Sequence, residues 1–174
     1  MKTINMAQDR KYEIIQDMDQ AITILHNVAV WLEKSGKNPS KWWQPKNMNR
    51  EFFLQHAEPS EFYVVLVEGA PAAAAILQNT ERNQSWKSID KDKKVTALYI
   101  HWLCVSREFA GTGLPNIIIN FAAQKALSCN IHVLRLDADA KEKKLTEIYE
   151  KLGFYLVTIE QDSHGETAFY QKTC

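Results

Sequence analysis

Apolar positions change their period several times along the chain, and each change marks an element. Lys11–Ile15 is a short β-prone run. Behind two capping candidates, Asp17 and Asp19, the residues Ile22, Leu25, Val28 and Leu32 then recur at the spacing of one helix face. Gly36, Pro39 and Pro45 break this pattern across Ser35–Lys46, a predicted loop that carries Trp42 and Trp43, and a second short helix is expected around Asn49–Gln55. Phe62–Val67 and Ala72–Leu77 are apolar runs separated by Glu68–Pro71, the signature of a hairpin, and polar Gln78–Lys94 follows as a solvated loop. Val95–Val105 is strand-like again. It gives way through Ser106–Gly113 to Leu114, Ile117, Ile118, Phe121, Ala122 and Ala126 on one helical face. His132–Leu136 reads as a strand of parallel-sheet type, and Leu145, Ile148, Tyr149 and Leu152 as a helix stripe closed by Gly153. Phe154–Glu160 and Thr167–Gln171 then form a hairpin turning at Gly165. The predicted order is βααβββαβαββ.

Composition narrows what such a chain can be. With 174 residues, 45% hydrophobic and 24% charged, one domain spanning residues 1–174 is expected. The 21 Lys and Arg balance 21 Asp and Glu, so no net field draws nucleic acid or anionic lipid, and neither is expected as a partner. Cys104, Cys129 and Cys174 are odd in number and lack C-x-x-C spacing, which fits reduced thiols in a cytoplasm better than a disulfide framework or a zinc knuckle. The longest apolar stretches, such as Pro71–Leu77, fall far short of the roughly 20 residues of a membrane helix, and the polar start has no signal-peptide core.

Two segments carry candidate chemistry. Gly111-Thr112-Gly113 lies between a predicted strand and a predicted helix. Glycines there let main-chain amides approach a phosphate at the positive end of the helix, or merely supply a tight turn with positive φ. Tyr149-Glu150-Lys151-Leu152-Gly153-Phe154 ends a helix; a buried phenol at Tyr149 either donates a proton into a cleft or bonds a backbone carbonyl in the core.

Together these segments resemble the GNAT N-acetyltransferase superfamily. The resemblance rests on the loop Val105–Pro115, the strand Leu134-Arg135-Leu136-Asp137 and the helix end Tyr149–Phe154, in the order and spacing of that family. It implies an α/β fold of the α+β kind, with a mixed, largely antiparallel sheet and helices on both faces. It also implies that acetyl-coenzyme A sits in a V-shaped gap between the strand ending at Val105 and the one beginning near His132. The pantetheine would pair with Leu103, Cys104 and Val105. The segment Ala110, Gly111, Thr112, Gly113, Leu114, Pro115 and Asn116 would hold the pyrophosphate, and Tyr149 would protonate the departing thiolate. Three residues depart from the family pattern: Ala110 stands where Arg or Gln is usual, Pro115 where a glycine is usual, and Glu142 where asparagine is common. Pro115 removes an N–H donor; Arg107, Thr112 and Asn116 are the expected compensators.

An amine acceptor must lose a proton before it attacks, so a base is needed. His101 is the candidate, and strict strand alternation would put it on one face with Leu103 and Val105, opposite Trp102 and Cys104. Cys104 reads as core filler rather than nucleophile. Trp31, Trp42 and Trp43 are candidate pocket walls, and Glu33, Glu51 and Glu58 a candidate lining for a cation. His26, His56, His132 and His164 show no metal-ligand spacing, so no metal is expected. The expected activity is direct acetyl transfer to a small primary amine. The alternative is a catalytically weak or inactive module of the same fold that binds coenzyme A or another ligand for sensing or protein interaction. The C-terminal strands leave an edge that a homodimer would cover.

Overall fold

The structure, a computed structural model, describes residues 10–37, 41–91, 93–163 and 165–174; Pro39 and His164 lie outside the described residues. Seven strands form one sheet in the order β1-β2-β3-β4-β5-β7-β6: β1 (Tyr12–Gln16), β2 (Phe62–Val67), β3 (Ala70–Gln78), β4 (Leu98–Val105), β5 (Val133–Asp139), β6 (Tyr155–Asp162) and β7 (Gly165–Thr173). Every neighbouring pair is antiparallel except β4 with β5. The helices are α1 (Met18–Lys34), α2 (Arg50–Phe53), α3 (Lys87–Asp90), α4 (Leu114–Ser128) and α5 (Lys143–Lys151).

Local chemistry explains the helix starts. Asp17 accepts the Gln20 N–H at 2.9 Å and opens α1, and Asn49 accepts the Phe52 N–H at 2.9 Å and opens α2. One face of the sheet receives α1 and α2, where Leu25, Ala29 and Phe53 bury against Phe62, Val64, Ala74 and Ile76. The other face receives α4 and α5, with Ile118, Ile119 and Tyr149 packed among Tyr63, Val65, Ala73 and Ala75. Alternation along β2 and β3 feeds the two cores. The run Ala72–Ala75 is fully buried, and its small side chains let both helix layers come close to the central strand.

One expected loop is not solvated. Residues 78–94 include α3 and Trp86, which is 1% exposed and meets Phe169 edge-on at 5.1 Å. Above the indole lies Arg135, its guanidinium carbon 4.1 Å from the ring centroid. Arg135 donates two hydrogen bonds of 2.8 Å to Asp90 and one of 2.9 Å to Gln171. This bidentate pair ties α3 to β5.

The feature that makes a site is the parallel pair. β4 and β5 are registered only at Leu98↔Leu134 and Tyr99↔Arg135, and beyond those residues the strands run on without pairing. β4 also changes register against β3 between Ala74 and Ile76, with Trp102 at φ +55°, the mark of a β-bulge. The bulge overturns the expected alternation. Leu98, Ile100, Leu103 and Val105 all pack on the α4 side, while Trp102 and Cys104 pack on the α1 side. His101 does not share the face of Leu103 and Val105; it stacks on Tyr99, with centroids 6.5 Å apart and planes 7° apart.

Candidate active site

At the open end of β4 the chain turns through a short 3₁₀ segment, Arg107–Phe109, into α4. Ser106 donates its N–H to the Ala72 carbonyl at 2.8 Å, which anchors the loop to β3. Gly111 (φ +76°) and Gly113 (φ +83°) occupy the left-handed region, and an added Cβ at either would meet nothing within 4 Å. Backbone conformation, not crowding, therefore demands glycine here. The main-chain N–H groups of Gly111, Gly113 and Leu114 donate to no acceptor among the described residues, and they open at the N-terminus of a 15-residue helix. Such an array is suited to a phosphate group.

The side chains expected to compensate are placed differently. Arg107 stacks on Trp31, 3.9 Å from the ring centroid. Thr112 donates its hydroxyl to the Phe109 carbonyl at 2.5 Å. Asn116 is exposed in the first turn of α4, and its own N–H goes to Gly113. Pro115 sits at the helix start, where proline is tolerated.

Tyr149 is positioned by the end of α5. Phe154 donates its N–H to the Tyr149 carbonyl and Gly153 donates to the Glu150 carbonyl, both at 3.0 Å. These are the two bonds of a Schellman closure, with Gly153 at φ +90°. The accompanying apolar contact is present as well, Tyr149 and Phe154 having centroids 6.1 Å apart. The motif therefore fixes the phenol as it ends the helix. Tyr149 is 5% exposed overall, yet its hydroxyl makes no hydrogen bond among the described residues and reaches the cleft it lines. Burial, and secondarily Asp137 and Cys104, push its pKa above the ordinary 10.0.

That cleft, about 550 Å³, occupies the mouth of the V between β4 and β5. Trp42, Trp43, Phe52 and His56 form an aromatic wall from the segment joining α1 to β2, and Trp102 extends it. Trp43 and Trp102 lie 5.0 Å apart, and Phe52 and His56 likewise. The opposite wall carries Asp137 and Asp139 of β5, Glu142 at the start of α5, and Asp162 and Glu166 from β6 and β7. Among the described residues no lysine or arginine lines it. His101 and Asp137 occupy matching positions, each two residues beyond the last ladder pair Tyr99↔Arg135. The His101 Nε2 is sealed from solvent and has no hydrogen-bond partner among the described residues. The Asp137 carboxyl is raised from the usual 3.8, chiefly by burial; His101 pulls it down and Glu81 pushes it up.

The split thus brings His101, Leu103 and Tyr149 together around one cavity, with Val105 leading out to the glycine loop. Burial pushes the Cys104 thiol up to about 12, so it is no nucleophile at neutral pH. Trp31 and the three expected glutamates do not line the cleft. Glu33 borders a separate recess of about 270 Å³ beside Lys37 and Trp43, and Glu58 lies 4.0 Å from Arg82. Of the carboxylates that do line it, Asp137 and Glu142 stand out in the sequence only as motif positions, and Asp139, Asp162 and Glu166 share no period with them. β7 reaches this end of the cleft only through its pairing with β5, in which Asp139 is registered with Thr167 and Ala140 donates to the Glu166 carbonyl at 2.9 Å.

The sequence profile of the acetyltransferase (GNAT) family matches residues 27–154. The chain belongs to that family, and its class of reaction is acetyl transfer from acetyl-coenzyme A. Among solved structures it is similar to a GNAT acetyltransferase of Listeria monocytogenes, at 23% identity and TM-score 0.68 over 94% of this chain and 95% of that one. A GNAT acetyltransferase of Streptococcus agalactiae is 18% identical, with TM-score 0.74 over 94% and 95% of the two chains. The polyamine N-acetyltransferase of Drosophila melanogaster, which forms N-acetylagmatine, is 15% identical, with TM-score 0.64 over 94% and 100%. At these identities the likeness is one of fold. No curated protein matches the chain by sequence. Among the described residues no helix is long and apolar enough to cross a membrane.

Proposed function

We propose that the chain transfers the acetyl group to the primary amine of a small molecule, directly, in a ternary complex. One observation carries this reading: the splay of β4 from β5 opens a single cleft that holds the unbonded Tyr149 hydroxyl and the unpartnered His101 Nε2. In this reading the β5-facing edge of Leu103, Cys104 and Val105 pairs with pantetheine. The amides of Gly111, Gly113 and Leu114 hold the pyrophosphate, with Ala110, Thr112, Pro115 and Asn116 shaping the loop around them. His101 Nε2 takes a proton from the acceptor ammonium, and the freed nitrogen attacks the thioester carbonyl. As the new C–N bond forms the C–S bond breaks, Tyr149 gives its phenolic proton to the departing sulfur, and the second proton of the acylated nitrogen returns to the Tyr149 phenolate, leaving a neutral amide and coenzyme A thiol.

Calorimetric titration with acetyl-coenzyme A and coenzyme A, followed by thiol release over an amine panel, tests this. Micromolar binding weakened by Gly113→Trp, together with amine-dependent thiol release, is expected. Binding without turnover would favour a sensing module, a reading supported by the donor that Pro115 withholds. Absence of binding at millimolar ligand would overturn both. The free thiols Cys104, Cys129 and Cys174 support a reducing cytoplasm. The edge strand β6 exposes Tyr155 (52%), Leu156 (44%) and Ile159 (50%), and is the surface a homodimer would use; light scattering of the purified chain decides it.

A further inference from the structure

We infer that Trp102 is a positioning residue for the cofactor: the aromatic wall clamps it in a left-handed conformation, and that conformation aims the edge of β4 at which coenzyme A pairs. Trp102 acts on the pantetheine edge of the proposed function, so its role rests on that reading.

The backbone requires an inserted residue. Ile76 pairs with His101 and Ala74 with Cys104, so Ala75 alone faces both Trp102 and Leu103. Ile100 and Leu103 both pack on the α4 side. They are three positions apart, a spacing that strand alternation forbids and one inserted residue supplies. Where the inserted residue of a bulge is left-handed, it is normally glycine. Trp102 takes that conformation at φ +55° with an indole side chain. A bulky residue stays there only where its surroundings over-determine it.

Three rings supply that constraint. Trp43 lies 5.0 Å from Trp102, while Phe53 meets it edge-on at 5.1 Å and Phe52 at 6.0 Å. None of the three belongs to the sheet, yet each is held. Phe53 is fully buried and meets Phe62 of β2 edge-on at 5.7 Å. α2, which carries Phe52 and Phe53, is tied to α1 through Arg50 and Asp19. Asn47 donates its side-chain amide to the Lys41 and Trp42 carbonyls at 3.2 and 3.1 Å, bracing the turn that presents Trp43.

Released from these rings, residue 102 relaxes to the extended region, and the inserted residue is lost from the ladder. A slip of one residue turns every following side chain to the opposite face. Leu103 then leaves the α4 core. The edge from Leu103 to Val105, which runs free of β5 beyond Tyr99, no longer presents the same main-chain groups to pantetheine. The aromatic wall and the cofactor edge are therefore one unit, in which rings outside that edge set coenzyme A affinity.

The test separates the backbone of residue 102 from its side chain. Trp102→Gly removes the indole and keeps the left-handed conformation accessible, whereas Trp102→Ala removes it and penalises that conformation. Coenzyme A is titrated calorimetrically into the wild type, both variants, Trp43→Ala, and Trp43→Ala combined with Trp102→Gly. Urea unfolding of each free protein runs alongside. Within a strand alanine is ordinarily more stable than glycine; here Trp102→Gly should have the higher urea midpoint. The dissociation constant should rise about tenfold in Trp102→Ala and in Trp43→Ala, and less than about threefold in Trp102→Gly. Adding Trp43→Ala to Trp102→Gly should change it by less than about twofold, since no strained residue remains to be clamped. Loss of packing alone predicts equal weakening by alanine and glycine at 102, and the same factor for Trp43→Ala in both backgrounds. Either pattern overturns the inference, as does a higher midpoint for Trp102→Ala. A wild type that binds no coenzyme A fails the cofactor reading and the inference with it; a wild type that binds while the variants show one of those patterns fails the inference alone.

Discussion

Replacing Tyr149 by phenylalanine removes one oxygen and leaves the ring. The contacts with Phe154 and Tyr170, both at 6.1 Å between centroids, are made by ring carbons, and the Schellman closure uses only main-chain atoms. Because the hydroxyl bonds to nothing among the described residues, its loss should change folding stability by less than about 1 kcal/mol. The rate should change far more. A positioned general acid contributes about 10²–10⁴-fold, or about 2.7–5.5 kcal/mol of barrier. The direction of the Tyr149 shift selects the lower part of that range. Burial and the Asp137 charge lift the phenol above 10.0, whereas a thiol titrates near 8.5, so the proton moves uphill and the Brønsted advantage shrinks. About a hundredfold loss of kcat is expected, with acetyl-coenzyme A affinity unchanged. Thiol release under saturating acetyl-coenzyme A measures the first and calorimetry the second. The sign of the shift also fixes the alkaline limb. Raised above 10.0, Tyr149 keeps its proton through the interval in which a free phenol loses it, so the wild type should lose no activity to this group below about pH 10. A kcat within about threefold of wild type would refute the assignment. So would a loss confined to acetyl-coenzyme A binding.

The other predictions test the frame around the site. Arg135→Ala should cost about 3–5 kcal/mol in urea unfolding, because it strands Asp90 beside a pair in which Arg135 is 4% exposed; the double replacement Arg135→Met with Asp90→Leu should recover most of it, and equal losses in both would contradict this. Asp137→Asn should stabilise the fold increasingly as pH rises. The folded carboxyl is raised above 3.8, so the wild type loses up to about 1.4 kcal/mol per pH unit from there until the folded group ionises, while the amide does not; a difference that stays constant between pH 4 and pH 7 in matched urea melts would refute it. Gly113→Ala, placing a Cβ at φ +83° with nothing within 4 Å, should cost about 1–2 kcal/mol of stability and weaken coenzyme A binding, since the methyl projects into the space assigned to the pyrophosphate. Unaltered affinity in the titration would move the pyrophosphate elsewhere.

What could be read from the sequence was whatever obeys a local rule. The stripe Leu25, Val28 and Leu32, the paired runs about Glu68–Pro71 and the glycine after Leu152 each declare an element through period or punctuation, and each element is present. Two features escaped for the same reason. Trp86 is a lone aromatic in a polar stretch, and only the pairing of β5 with β7 brings Phe169 to it. The bulge at Trp102 has no sequence mark, since a non-glycine residue at φ +55° is held there by its neighbours. Without the bulge, alternation sends His101 to the α4 face; with it, His101 joins the wall that faces Asp137. The acidic side of the cleft was likewise invisible, because residues separated by the whole of α5 become neighbours only once the sheet is assembled.

The departures at Ala110 and Pro115 weigh less once the loop geometry is known. A missing arginine or glutamine matters where side chains hold the phosphate. Here the loop groups without partners among the described residues are main-chain amides, at Gly111, Gly113 and Leu114, and their direction is set by backbone φ and by the Ser106–Ala72 anchor rather than by any side chain. Arg107 could not stand in for the absent residue without leaving Trp31, a contact at 3.9 Å that also holds the loop against α1. Pro115 withholds one donor of the first helical turn, but it fixes φ where the helix must begin, so the remaining amides are held in place at little entropic cost. The net effect is a cradle with fewer donors and a stiffer frame. Replacing Trp31 with alanine should therefore loosen the loop and weaken coenzyme A binding, while Ala110→Gln should change it by less than about threefold, or about 0.7 kcal/mol. If Ala110→Gln tightens binding by an order of magnitude instead, the side chain was the limiting donor and the amide cradle is incomplete.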